Sequence, residues 1–163
     1  MRVQQLVRKR VAVVAVAGII GFAATACALP NVSNSGPSDP YTAGLYSAVN
    51  RDRGANRLGG LAWSPKLANQ ASNWARQMAA ANSLYHQDLG ALISSPNYAG
   101  FYTLGENILV GPGSMSPDQV EATWMNSGPH RANILSGAFD IVGIGYYRGP
   151  DGRIWAVQDF GGI

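Results

Sequence analysis

Apolar residues recur at helical spacing over Tyr41, Leu45, Ala48 and Val49, and the run predicts a first helix that Gly54 stops. A clearer helix opens at Ser64-Pro65, an N-cap followed by a residue whose ring already holds the helical φ. It carries Leu67, Ala71, Trp74, Ala75 and Met78 on one stripe. The spacing then dissolves into a loop of Gly, Ser and Tyr that contains His86, and resumes at GENILVG, where Ile108-Leu109-Val110 predicts a short strand. Ser116-Pro117-Asp118-Gln119 has the form of a capping box and predicts a helix with Val120 and Trp124 on its apolar side. After that the period changes from 3.6 to 2. FDIVGIGYYRG and RIWAVQDFG are β-branched and aromatic runs joined by Gly149-Pro150-Asp151-Gly152, the composition of a hairpin turn. Helices first and an antiparallel hairpin last make the class α+β. Trp63, Trp74, Trp124 and Trp155 are expected in the core, because aromatic rings carry the largest burial.

The chain has 163 residues, room for one well-filled domain. Arg2, Arg8, Lys9 and Arg10 precede an apolar run from Val11 to Ala24-Thr25-Ala26, the three parts of an export signal over residues 1–26. Cys27, the single cysteine, follows directly and cannot form an internal disulfide. Two readings stay open: lipidation of Cys27 at a lipoprotein-type junction, or ordinary cleavage beside it that leaves a spare thiol. The next stretch, LPNVSNSGPSDP, is too polar to offset its ordering entropy, so residues 27–40 are expected to be a disordered tether and residues 41–163 the folded domain.

The formal charge of +3 is local to that signal. Without its four basic residues, eight Lys+Arg face nine Asp+Glu, which excludes a basic nucleic-acid face. The chain contains no GxSxG elbow, P-loop, GxGxxG, HExxH or paired-cysteine metal motif, so a conventional enzyme is not expected. Three ionisable groups stand out at what read as element ends: His86 in a loop, Glu106 at a strand start and His130 in a turn after a helix. Two neutral imidazoles can hold zinc or copper, and a nearby carboxylate can orient or deprotonate a bound water. Sequence separations of 20 and 24 residues do not by themselves bring the three together, and Glu106 pairing with Arg131 is the plainer alternative.

The order of the segments adds what spacing lacks. VNRDRGANRLGGLAWSPKLANQASNWARQMA, LYHQD, GENILVG, TWMNS, PHRANIL, FDIVGIGYY and WAVQDFG together resemble the CAP superfamily, in particular its bacterial SCP-like extracellular branch, over nearly all of residues 41–161. The resemblance implies a three-layer α-β-α sandwich with a mostly antiparallel central sheet. It also implies that His86, Glu106 and His130 meet in a central cleft that in some members binds a divalent metal. Eukaryotic members resemble one another in a fourth cleft residue, a glutamate three places after the helix tryptophan; here Ser127 stands there, and Glu121 is not its counterpart.

Three functions are consistent with these residues. The first is an exported, envelope-attached binding module, monomeric, whose cleft takes a divalent metal, zinc or copper, and a small lipid or cell-wall ligand, with a membrane anchor if Cys27 is lipidated. The second is a metal-assisted hydrolase, a peptidase or esterase, in which His86 and His130 hold the ion and Glu106 is the general base. The third is a non-catalytic structural envelope protein.

Overall fold

The computed structural model describes residues 32, 33 and 35–163. The export signal and Cys27 lie outside the described residues, and among those described no helix is long and apolar enough to cross a membrane.

Capping chemistry sets the helix starts. Helix α1 (Pro40–Ala55) begins where the Asp39 carboxylate accepts the Thr42 N–H at 2.8 Å. Gly54 does not stop it; the helix takes in Gly54 and Ala55, and the N–H of the capping Asn56 donates back to the last carbonyls. Strand β1 (Ala62–Trp63), which no sequence period announces, precedes α2 (Pro65–Ala81). The latter starts at Ser64, whose hydroxyl accepts the Leu67 N–H, and ends at Asn82 in the left-handed region (φ 49°). The loop expected around His86 is partly ordered into α3 (Leu89–Ile93) and a 3₁₀ turn (Pro96–Tyr98). Strand β2 spans Thr103–Pro112, so Glu106 lies within a strand rather than at its start. The Ser116/Gln119 capping box opens α4 (Pro117–Met125). His130 sits not in a turn but in α5 (Gly128–Ile134), with Pro129 in the helix's first turn, where its missing N–H costs nothing. The hairpin is β3 (Ile141–Arg148) and β4 (Arg153–Gly162), joined through Gly152 at φ 77°.

The sheet order is β1-β3-β4-β2; β3, β4 and β2 are antiparallel neighbours, and only β1 runs parallel to its partner. Period-2 alternation then divides the core. Ile108, Trp155 and Val157 pack under Ala71, Ala75 and Met78 of α2, while Leu109, Ala156 and Phe160 pack against Leu45 and Val49 of α1, Val120 and Trp124 of α4, and Ile134 of α5. Helices on both faces make the three-layer sandwich. On the α2 side the helix backbone lies almost on the sheet: a Cβ at Gly143 or Gly145 would stand 2.1 Å from the Ala68 nitrogen or 2.2 Å from the Ser72 nitrogen. Trp63, Trp124 and Trp155 are buried, whereas Trp74 is half-buried at the flank of α2, where its indole N–H donates to the Tyr85 carbonyl at 2.9 Å.

Order reaches further toward the N-terminus than composition suggests. The Ser33 N–H donates to the Trp63 carbonyl at 2.8 Å, so Ser33 is docked along β1, and Asp39 caps α1. These contacts offset part of the entropy that a free tether would keep.

Candidate functional site

Glu106 lies directly opposite Asp159 in the β2/β4 register, and both side chains are on the α2 face. Two carboxyl groups in one buried place repel, and the structure puts a single amide between them. Gln87 Nε2 donates to Glu106 Oε2 at 2.6 Å and to Asp159 Oδ1 at 2.9 Å, and the Gln87 backbone N–H donates to Glu106 Oε1 at 3.1 Å. Gln87 is itself held by Gln70 of α2, which donates to its side-chain oxygen. Burial, and then the charge of Glu106, push the Asp159 carboxyl well above the usual carboxylate range, against the pull of the Gln87 hydrogen bond.

His86 closes this cluster on the solvent side. Its Nδ1 is 2.6 Å from Glu106 Oε1; the Glu106 side chain is 1% exposed and that of His86 59%. In the neutral ring, a carboxylate acceptor at Nδ1 places the proton there and leaves Nε2 as the free nitrogen. The alternative Glu106–Arg131 pair is not made; the Glu106 oxygens meet His86 and Gln87 instead.

His130 approaches from the other side of β2, on α5. Two amides pin that helix. Asn107 Nδ2 donates to the His130 carbonyl at 3.2 Å, and Asn133 Nδ2 donates to the Glu106 carbonyl and to Asn107 Oδ1, each at 3.0 Å. At the far end of α5, buried Arg53 of α1 donates to the Ile134 and Ser136 carbonyls at 2.9 and 2.7 Å. The His130 imidazole is pulled below its ordinary pKa first by burial and then by the charge of His86, so the two rings are close enough to feel one another, and the neutral form is favoured in His130.

Ser127 is the N-cap residue of α5 and makes no side-chain capping bond. Glu121 is fully buried on the opposite sheet face from Glu106, where Gln158 Nε2 donates to its Oε2 at 2.7 Å. Burial pushes its carboxyl up to about 8; the Gln158 hydrogen bond and Arg51 oppose the shift, and Asp52 adds to it.

These residues fit a metal only in part. Among the described residues no three His, Cys, Asp or Glu are gathered as a ligand set. A pair of imidazoles backed by a carboxylate on one Nδ1 is instead the arrangement that orients a histidine ligand, with the remaining positions left to solvent or ligand. Sequence reasoning singles out His86, Glu106 and His130 but misses Gln87 and Asp159. The signal for Asp159 is the strand register that sets it opposite Glu106; for Gln87 there is only its adjacency to His86.

The chain has relatives that match most of its folded part. Over 144 residues it is 31% identical to the uncharacterized protein YkwD of Bacillus subtilis, covering 80% of this chain and 52% of YkwD, so the chain spans about half the length of that relative. An extracellular protein containing an SCP domain from Bacillus anthracis superposes with a TM-score of 0.61 at 27% identity, covering 79% of this chain and 45% of that one. An outer surface protein from Borrelia burgdorferi shares the fold with a TM-score of 0.61 at 22% identity, over 72% of this chain and 89% of its own. The cysteine-rich secretory protein (CAP) family matches residues 46–160, and the chain belongs to that family.

Proposed function

We propose that this is an exported, envelope-attached CAP-domain protein whose cleft, between His86 and His130, holds a divalent metal ion, zinc or copper, together with a small lipid or cell-wall ligand. Export is supported by the signal pattern over residues 1–26 and by the extracellular and outer-surface descriptions of the Bacillus anthracis and Borrelia proteins. Attachment rests on Cys27 at the junction. The observation that carries the reading is the 2.6 Å contact between His86 Nδ1 and the buried Glu106 carboxylate, the arrangement that orients a histidine ligand. Calorimetric titration of zinc and copper into the metal-stripped protein tests it. Saturable one-to-one binding that disappears in the His86→Ala/His130→Ala double variant is expected; no binding, or the same binding in the variant, overturns it.

A second reading, metal-assisted hydrolysis, draws on the same contact. A bound ion would supply Lewis acidity and lower the pKa of a coordinated water. In this reading His86 and His130 would hold the ion, and Glu106, whose carboxylate lies 2.6 Å from His86 Nδ1, would act as general base on that water. Turnover of peptide or ester substrates by the metal-loaded protein, lost in Glu106→Gln with metal retained, is the outcome this reading requires. A loaded wild-type protein inert on both substrate classes refutes it.

A further inference from the structure

A fully buried acid in the middle of an apolar layer is costly, and Glu121 is one: it stands on α4 between Val120 and Trp124, with its Oε1 lacking any hydrogen-bond partner among the described residues. Its other oxygen begins a chain of amides. Gln158 Nε2 donates to Glu121 Oε2 at 2.7 Å; Gln158 Oε1 accepts from Asn107 Nδ2 at 3.1 Å; the same Asn107 nitrogen donates to the His130 carbonyl at 3.2 Å; and Asn107 Oδ1 accepts from Asn133 Nδ2, which also donates to the Glu106 carbonyl.

Each amide in this chain has one donor end and one acceptor end, so its direction is set where it terminates, at Glu121 Oε2 on one side and at the His130 and Glu106 carbonyls on the other. An accepting oxygen at Glu121 obliges Gln158 to turn its NH₂ toward α4 and its oxygen toward Asn107. That in turn obliges Asn107 to offer its NH₂ to Gln158 and to the α5 carbonyl. We propose that Glu121 is a positioning residue for the cleft, setting through Gln158 and Asn107 the hydrogen-bond direction that holds α5, and with it His130, against the strand that carries Glu106. The inference rests on the reading of His86, Glu106 and His130 as the functional site, and adds to it a control point on the opposite face of the sheet.

The chain of amides is also sensitive to charge. The charged groups acting on Glu121 are Asp52 and Arg51, both on α1, which oppose each other; β4 offers it only the neutral Gln158 amide, and α5 brings buried Ile134 to this side of the sheet. Ionisation would leave a charge with a bare oxygen in the core, so the strain is relieved by moving α4 and the amides attached to it.

The experiment is a pH titration of the His130 ring-proton resonance by NMR on the whole, metal-free chain, for wild type, Glu121→Gln and Glu121→Leu. In wild type the His130 signal is expected to show, besides its own titration, a second inflection centred near pH 8. Glu121→Gln keeps an accepting oxygen and cannot ionise, so it should match wild type at pH 6 to 7 and lose that inflection. Glu121→Leu removes the acceptor and should displace the His130 resonance at every pH. A wild-type signal with no second inflection, a second inflection that persists in Glu121→Gln, or a folded Glu121→Leu with an unmoved His130 signal would each overturn the proposal. If Glu121→Leu does not fold, the comparison of Glu121→Gln with wild type decides it. Because no metal is present, failure of zinc or copper binding is a separate result and leaves this one standing.

Discussion

Two cross-strand pairs stand one residue apart on β2 and β4, and they have opposite characters. Glu106 and Asp159 face α2, share one Gln87 amide, and reach solvent through the exposed imidazole of His86. Asn107 and Gln158 face α4 and α5, are wholly buried, and end in Glu121, a carboxyl with no route outward. The first pair concentrates titratable groups beside a free ring nitrogen and is suited to binding and proton transfer. The second contains amides whose direction matters more than their charge, and it is suited to holding helices in place. Polar side chains in one sheet thus divide by face into carboxyl groups and amides, and the single-residue alternation of a strand is enough to separate them.

The contrast can be broken most severely on the sealed face. Trp124 is enclosed by the core on every side, and its indole N–H donates to the Ile108 carbonyl at 3.2 Å. Trp124→Ala should cost about 3–5 kcal/mol in denaturant unfolding, through lost burial and a residual cavity.

Next in size is the pH dependence of stability. Glu121 binds its proton more tightly folded, up to about 8, than at its ordinary value of 4.5. Its contribution is therefore fully present below pH 4.5 and declines as pH rises through the window to about 8, by on the order of 4 kcal/mol. Asp159 acts in the same direction from a lower starting point, while His130, whose pKa is depressed, lowers stability as pH falls below 6.5. Unfolding free energies measured from pH 5 to pH 9 should show the decline in wild type and a flatter profile in Glu121→Gln.

On the open face, Gln87→Leu strips the shared donor from both carboxyl groups and should destabilise by about 1–3 kcal/mol, with a changed tautomer or orientation of His86 visible in its ring nitrogen shifts. The smallest effect belongs to the exposed Arg51–Asp118 pair at 2.8 Å, whose side chains are 58% and 73% exposed. Arg51→Ala should change stability by less than about 1 kcal/mol.

How far the sequence foretells this arrangement depends on the range of the forces involved. Ser64-Pro65 and Ser116-Pro117 act within one helical turn, and both helices begin where those pairs stand. The Gly149 to Gly152 turn likewise acts locally. Gly128-Pro129 misleads because a proline that breaks a helix interior is equally at home in a first turn, and α5 uses it in the second way. Strand β1 is invisible in the sequence because two residues carry no period; its existence depends on Ile141 and Val142, far later in the chain. Trp74 reads as core because α2's stripe is wide, yet it lies at the stripe's edge, where Tyr85 covers it. Asp159 and Gln87 acquire meaning only once the β2/β4 register is set, and Glu121 only once α4 is laid over Gln158. Those are long-range facts that no local pattern encodes.

Ser33 enters beside Trp63 at the β1 edge, while Glu106 belongs to β2 at the other edge, three strand spacings or roughly 14 Å across the sheet. A domain held at any surface by the chain preceding Ser33 is thus gripped on one flank and displays its histidines on the opposite one.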